Sequence, residues 1–264
     1  MSPELLEFLE LAPLGLVIGA YGTLVGAGGG SVLVPALLFL YPHESPAMLT
    51  AISLAVVFFN AYSGTVAYMR MGRVDYRAGT LFTLASLPGA VVGVLLVYEL
   101  PRPVFDPLFG ILLLGLGAFL VVSPLASRVH GSADHGQQPL GVRGPLGAIG
   151  SAYIAILASL LGIGGGIIHV PFLIRVLRLP PHTATATSHF VLTFMALTAT
   201  VTHVALGEFD RGLPQAMYLA VGVMMGAPLG AALSSKLHGS IIVRLLAVAL
   251  CLVGLRLVIR MFSV

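Results

Sequence analysis

The chain has 264 residues, of which 58% are hydrophobic and only 9% are charged. That balance excludes an ordinary soluble domain, in which about 25% of residues are charged. The net charge of +3 is small, and Lys and Arg fall in loops and at helix ends, so they read as topology signals and not as a nucleic-acid patch.

Charge-free runs cover residues 11–43, 45–69, 78–98, 107–127, 144–174, 179–207 and 212–235. A membrane-crossing helix needs about 20 apolar residues. The pattern therefore predicts an all-α polytopic membrane protein in contact with the lipid bilayer. A last segment, 240–261, carries Arg244 and Arg256 near its ends, where long side chains snorkel. Residues 1–10 hold Glu4, Glu7 and Glu10 and no basic run, so no cleavable leader is expected. The one cysteine, Cys251, allows no internal disulfide.

One segment occurs twice: GAGGGSVLVP at 26–35 returns as GIGGGIIHVP at 162–171. The correspondence continues through Ser53 and Ser188, Gly72 and Gly207, and Asp75 and Asp210. This divides the chain into a first repeat, 1–123, and a second, 145–264. Between them lies a linker, 124–144, rich in Pro, Gly, Ser and His. The tracts 11–43 and 144–174 are too long for one straight crossing. A helix of their length would run about 45–50 Å, against a hydrocarbon core of about 30 Å. Each is expected to fold back as a hairpin at its glycines. The first has arms at 11–27 and 31–41 with its tip at 26–30. The second has arms at 145–163 and 167–177 with its tip at 162–166. Three transmembrane helices follow in each repeat. With hairpins, nine basic residues fall on one side and four on the other. The positive-inside rule then places the linker in the cytoplasm and both termini outside, with the two repeats inverted.

At these residues the chain resembles the sulfite exporter TauE/SafE family of membrane transport proteins. The resemblance rests on the paired glycine segments, on HTATATSHF at 182–190, and on GRVD at 72–75 and GEFD at 207–210. It implies transport, often export, of small sulfur-containing anions such as sulfite, sulfonates or sulfoacetate across the cell (inner) membrane.

Backbone N–H groups at a helix start attract anions because they are unpaired and lie at the positive end of the helix dipole. Gly28, Gly29, Gly30 and Ser31 supply such groups in the first repeat, and Gly164, Gly165 and Gly166 in the second. Close helix packing is the other use of such glycines. Ser53, Asn60, Thr187 and Ser188 are polar residues in apolar helices and are candidate contacts to an anion near the midplane. His169 and His189 have no histidine counterpart in the first repeat. Each is a candidate substrate contact, and His189 also a proton site. Asp75 and Asp210 read as helix caps. No Cys, Asp or Glu accompanies the histidines at ligand spacing, so no metal or other cofactor is expected.

The expected function is a secondary transporter, with a coupled proton as candidate co-substrate and access alternating as one repeat moves against the other. An anion channel is the alternative. No catalytic residues and no ATP-binding GxxxxGK[ST] segment are found, so an enzyme is not expected. Oligomeric state is left open.

Overall fold

The computed structural model describes residues 3–122, 143–176, 178–207, 209–237 and seven positions between 244 and 255. Most of the linker and most of the expected last helix lie outside the described residues. Within them the chain is helical, with no strand. In order, the helices are α1 (Pro3–Val25), α2 (Gly30–Leu40), α3 (Pro46–Arg70), α4 (Tyr76–Tyr98), α5 (Arg102–Val122), α6 (Arg143–Leu160), α7 (Gly166–Val176), α8 (Pro181–Ala205) and α9 (Phe209–Ser234).

Each glycine tract does break into a long arm and a short one. The short arms α2 and α7 have 11 residues, about 16 Å at 1.5 Å per residue, which is half the hydrocarbon thickness. Among the described residues five helices are long and apolar enough to cross a membrane: Glu4–Val25, Pro46–Arg70, Tyr76–Tyr98, Pro181–Ala205 and Gly212–Ser234. The protein is a multi-pass membrane protein. The first arm begins earlier than its charge-free run, at Pro3. Glu7 stays in the helix because its Oε1 accepts from Tyr41 Oη (2.8 Å) and Gln215 Nε2 (2.9 Å).

Local signals set the ends of the helices. Ser45 caps α3 by accepting from the Met48 amide at 3.1 Å, and Pro46 takes the first position, where a missing N–H costs nothing. Asp75 caps α4, accepting from the amides of Arg77 and Ala78, both at 3.1 Å. The short arm α2 is held from outside. Arg102 donates from Nη1 to the carbonyls of Tyr41, Pro42 and Glu44 and from Nη2 to that of Leu38. These are carbonyls at and just beyond a helix C-terminus, where a cation is favoured.

Helices α3 and α8 form the centre. In their most apolar stretches 78% and 67% of residues are buried, against 44–50% in α1, α4 and α9. Around them α1 lies along α9, and α6 lies along α4. Both outer pairs pack backbone to backbone. A β-carbon at Gly226 would lie 2.2 Å from the Leu16 carbonyl oxygen, and one at Gly93 would lie 2.3 Å from that of Ile156. Small residues permit such approach, and in lipid packing replaces the hydrophobic effect as the driving force. Large side chains such as Val17, Leu84 and Met225 point outward.

Gly226→Val should therefore push α1 from α9. The expected cost is about 1–3 kcal/mol or more, read as a lower Tm and loss of monodisperse protein in detergent. An unchanged melting curve would refute the close packing.

Candidate functional site

The site grows from the two chain breaks. At the first, Gly26, Gly28 and Gly29 have φ of 79°, 72° and 84°; at the second, Gly162, Gly164 and Gly165 have 69°, 75° and 82°. Residues with a β-carbon rarely adopt this left-handed region. The long arms close on themselves: Ala27 N donates to Gly22 O (2.8 Å), and Ile163 N to Ala158 O (3.0 Å). Gly28 N also donates to Gly22 O, at 3.1 Å, so this amide is already used and does not belong with the free ones. Beyond it, the amides of Gly29, Gly30 and Ser31 make no hydrogen bond among the described residues, nor do those of Gly164, Gly165, Gly166 and Ile167. Gly29 caps α2 with backbone alone, without a side-chain hydrogen bond. A buried helix start is normally capped by a side chain, water or ligand. All of these glycines are buried.

The tips touch each other directly. A β-carbon at Gly30 would lie 2.8 Å from the Gly162 carbonyl oxygen, and one at Gly166 would lie 2.3 Å from that of Gly26. The carbonyls in this contact are held by the central helices. Ser53 Oγ donates to Gly162 O at 2.6 Å, and Ser188 Oγ donates to Gly26 O at 3.4 Å. Each serine thus latches one tip, and its single proton is used there. Val57 and Leu192 fill the space beside both tips, against Gly28 and Gly164.

Gly29 and Gly165 face away from this contact, and their surroundings differ. A β-carbon at Gly29 would meet Ile18 Cγ2 at 2.8 Å and Asn60 Nδ2 at 3.7 Å. Asn60 Nδ2 is buried and has no partner. Asn60 Oδ1 accepts from Thr23 Oγ1 (3.1 Å), and Thr23 Oγ1 lies 3.3 Å from His189 Nε2. Tyr68 Oη donates to the Thr23 carbonyl at 2.7 Å, and its ring meets His189 edge-on at 5.5 Å. A β-carbon at Gly165 would instead meet Met195 Cε at 3.0 Å, Ala158 Cβ at 3.1 Å and His169 Nδ1 at 3.2 Å. His169 Nε2 pairs with Ser151 Oγ at 2.9 Å, and Ser151 also donates to Phe82 O.

Gly29, Gly30 and Ser31 thus open α2 with Asn60 beside Gly29 and His189 linked to Asn60 through Thr23, while Gly164, Gly165 and Gly166 lead into α7 with His169 beside Gly165. Thr187 is elsewhere in its contacts: its Oγ1 accepts from the Asp75 amide at 3.0 Å and pins the α3–α4 turn. The Asp210 side chain lies outside the described residues. Thr23, Tyr68 and Ser151 were not singled out from the sequence. Thr23 had one available signal, a hydroxyl three residues before the first glycine with Ser159 as its repeat partner. No fully buried side chain among the described residues is Asp, Glu, Lys or Arg. No group of three His, Cys, Asp or Glu among them is placed to hold a metal ion.

The profile of the family described as sulfite exporter TauE/SafE matches residues 11–257. The chain belongs to this family. It is 30% identical to the probable membrane transporter protein YunE of Bacillus subtilis, over 96% of this chain and 98% of that one. It is 24% identical to the probable membrane transporter protein MJ0441 of Methanocaldococcus jannaschii, over 88% and 89%. A probable membrane transporter protein of Xylella fastidiosa is 28% identical over 86% and 84%. No solved structure matches the chain significantly. With its apolar helices, this family membership makes the TauE/SafE protein a membrane transporter.

Removing a latch hydroxyl leaves a buried carbonyl unpaired, at a cost of about 1–3 kcal/mol. Ser53→Ala should lower the Tm in detergent more than Ser188→Ala, following the shorter contact. Identical or absent shifts would show that the serines do not hold the tips.

Proposed function

We propose that this TauE/SafE protein is a secondary transporter that exports small sulfur-containing anions, such as sulfite, sulfonates or sulfoacetate, bound at the midplane between its two glycine breaks. The observation that carries this reading is an imbalance. The carbonyls of Gly26 and Gly162 are hydrogen-bonded by serines, whereas the amides of Gly29, Gly30 and Ser31 and of Gly164, Gly165, Gly166 and Ile167 are not hydrogen-bonded among the described residues. Unpaired buried donors at a helix start complement a negative guest. Among the described residues no fully buried carboxylate competes with it. A small oxyanion of sulfur presents several acceptors on one compact centre, which suits several free N–H groups at a helix start.

The repeats are taken as 1–123 and 145–264, inverted about the membrane, with the linker cytoplasmic. Arg73 supports approach from that side. Its amide donates to the Tyr68 carbonyl at 3.2 Å, and its Nη1 is buried without a hydrogen bond. Direct contact of the tips, with Val57 and Leu192 beside them, favours a carrier over a channel. Packed bodies would have to move to let an anion pass. The histidines are candidate sites for a coupled proton.

The test is thermal shift of the purified protein against sulfite, sulfoacetate, thiosulfate, sulfate and chloride, followed by flux in proteoliposomes. Stabilisation by sulfur anions and saturable flux are expected. Gly29→Val and Gly165→Val should each cut flux by about tenfold or more while insertion into the membrane persists, since both glycines have positive φ at an open helix start. No stabilisation by any sulfur anion, or normal flux in both variants, would refute the reading.

A further inference from the structure

The two breaks share a backbone but not a chemistry. Asn60 of α3 and Met195 of α8 are repeat partners, and each lies against the cap glycine of its own short arm, Gly29 or Gly165. One brings a hydrogen-bond donor and the other an apolar methyl. Thr23 and Ser159 are likewise partners. Thr23 joins Asn60 to His189, whereas Ser159 Oγ is buried without a partner. His189 itself stands where the first repeat has Leu54.

The hydrogen-bond directions along this chain are constrained. Asn60 Oδ1 can only accept, so Thr23 must donate its one proton to it. The Thr23 oxygen can then only accept from His189 Nε2–H. This order leaves Asn60 Nδ2, a pure donor, at the free amides of α2. The reverse order is also self-consistent when His189 is neutral. Its Nε2 would accept from Thr23, Thr23 would accept from the Asn60 amide, and Oδ1 would turn to the tip. A doubly protonated His189 permits only the first order, because both its nitrogens donate. An oxygen facing the tip repels an anion, whereas an N–H attracts it. The titratable group packed on His189 is Tyr68 of α3; α1 contributes Thr23. Among the described residues no hydrogen bond or ion pair joins His189 to a charged side chain.

We infer that the anion binds on the α2 side alone, at the amides of Gly29, Gly30 and Ser31 together with Asn60 Nδ2, and that His189 acts through Thr23 to turn the Asn60 amide toward it. Thr23 and His189 are positioning residues, and protonation of His189 favours the anion-bound state. The inference rests on the reading of the glycine breaks as an anion site.

The test uses the full-length purified chain and methanesulfonate, whose charge is constant over the pH range, titrated between about pH 4 and 8, a range wide enough for a fully buried histidine. Affinity should rise as pH falls. Asn60→Asp keeps the shape but replaces the donor, and should weaken binding by about 100-fold. Thr23→Val should cost about tenfold, roughly one lost hydrogen-bonded contact, and flatten the pH dependence; Thr23→Ser should restore both. Met195→Ala, in the opposite surroundings, should change affinity by less than about twofold. Equal losses at Asn60 and Met195, or a pH slope that survives Thr23→Val in a protein that still elutes as one species, would overturn the inference while leaving the anion site standing. No binding of methanesulfonate or any other sulfur anion by the unaltered protein would overturn both.

Discussion

The structure depends on what becomes of peptide groups freed by a helix break inside an apolar medium. Each unsatisfied backbone group there costs several kcal/mol. The chain answers with a division. The carbonyls of Gly26 and Gly162, where the tips touch, are closed by the Ser188 and Ser53 hydroxyls reaching across to the opposite tip. Donors at the starts of α2 and α7 are left open. Amides left open at two helix starts lie at the positive end of a helix dipole, which favours a negative guest, and no fully buried side chain among the described residues is Asp, Glu, Lys or Arg.

The breaks could be built alike because they come from one repeated segment, yet the helices behind them have diverged. Part of the divergence lies in α3 and α8, the two most buried of the candidate spans. Asn60 and Tyr68 stand in one, Met195 and His203 in the corresponding positions of the other. The backbone frame supplies a common electrostatic offer, and side chains from the central pair tune it.

Much of the fold was legible because the limiting physics is one of length. Thirty-odd apolar residues overfill the membrane, so a break was required, and the glycines at 26–30 and 162–166 were the places to put it. The site was less legible. Ser53 and Ser188 read as substrate contacts because their partners, carbonyls of the opposite repeat, are created by a contact no local pattern encodes. Thr187 read the same way, although it serves the α3–α4 turn. Gly28 lost its free amide to the closure of the preceding helix. Thr23 passed unnoticed since a single threonine in an apolar helix is ordinary; its meaning comes from Asn60 and His189, which lie 37 and 166 residues further on.

The pairing of α1 with α9 and of α6 with α4 has a consequence for biosynthesis. The glycine face of α1 enters the bilayer first, but its mate is made near the other end of the chain, so lipid must occupy that seam throughout most of translation. Contacts this distant in sequence form late. The nascent protein therefore spends its synthesis as an open set of spans, and only the ninth helix, displacing lipid from the first, draws it shut.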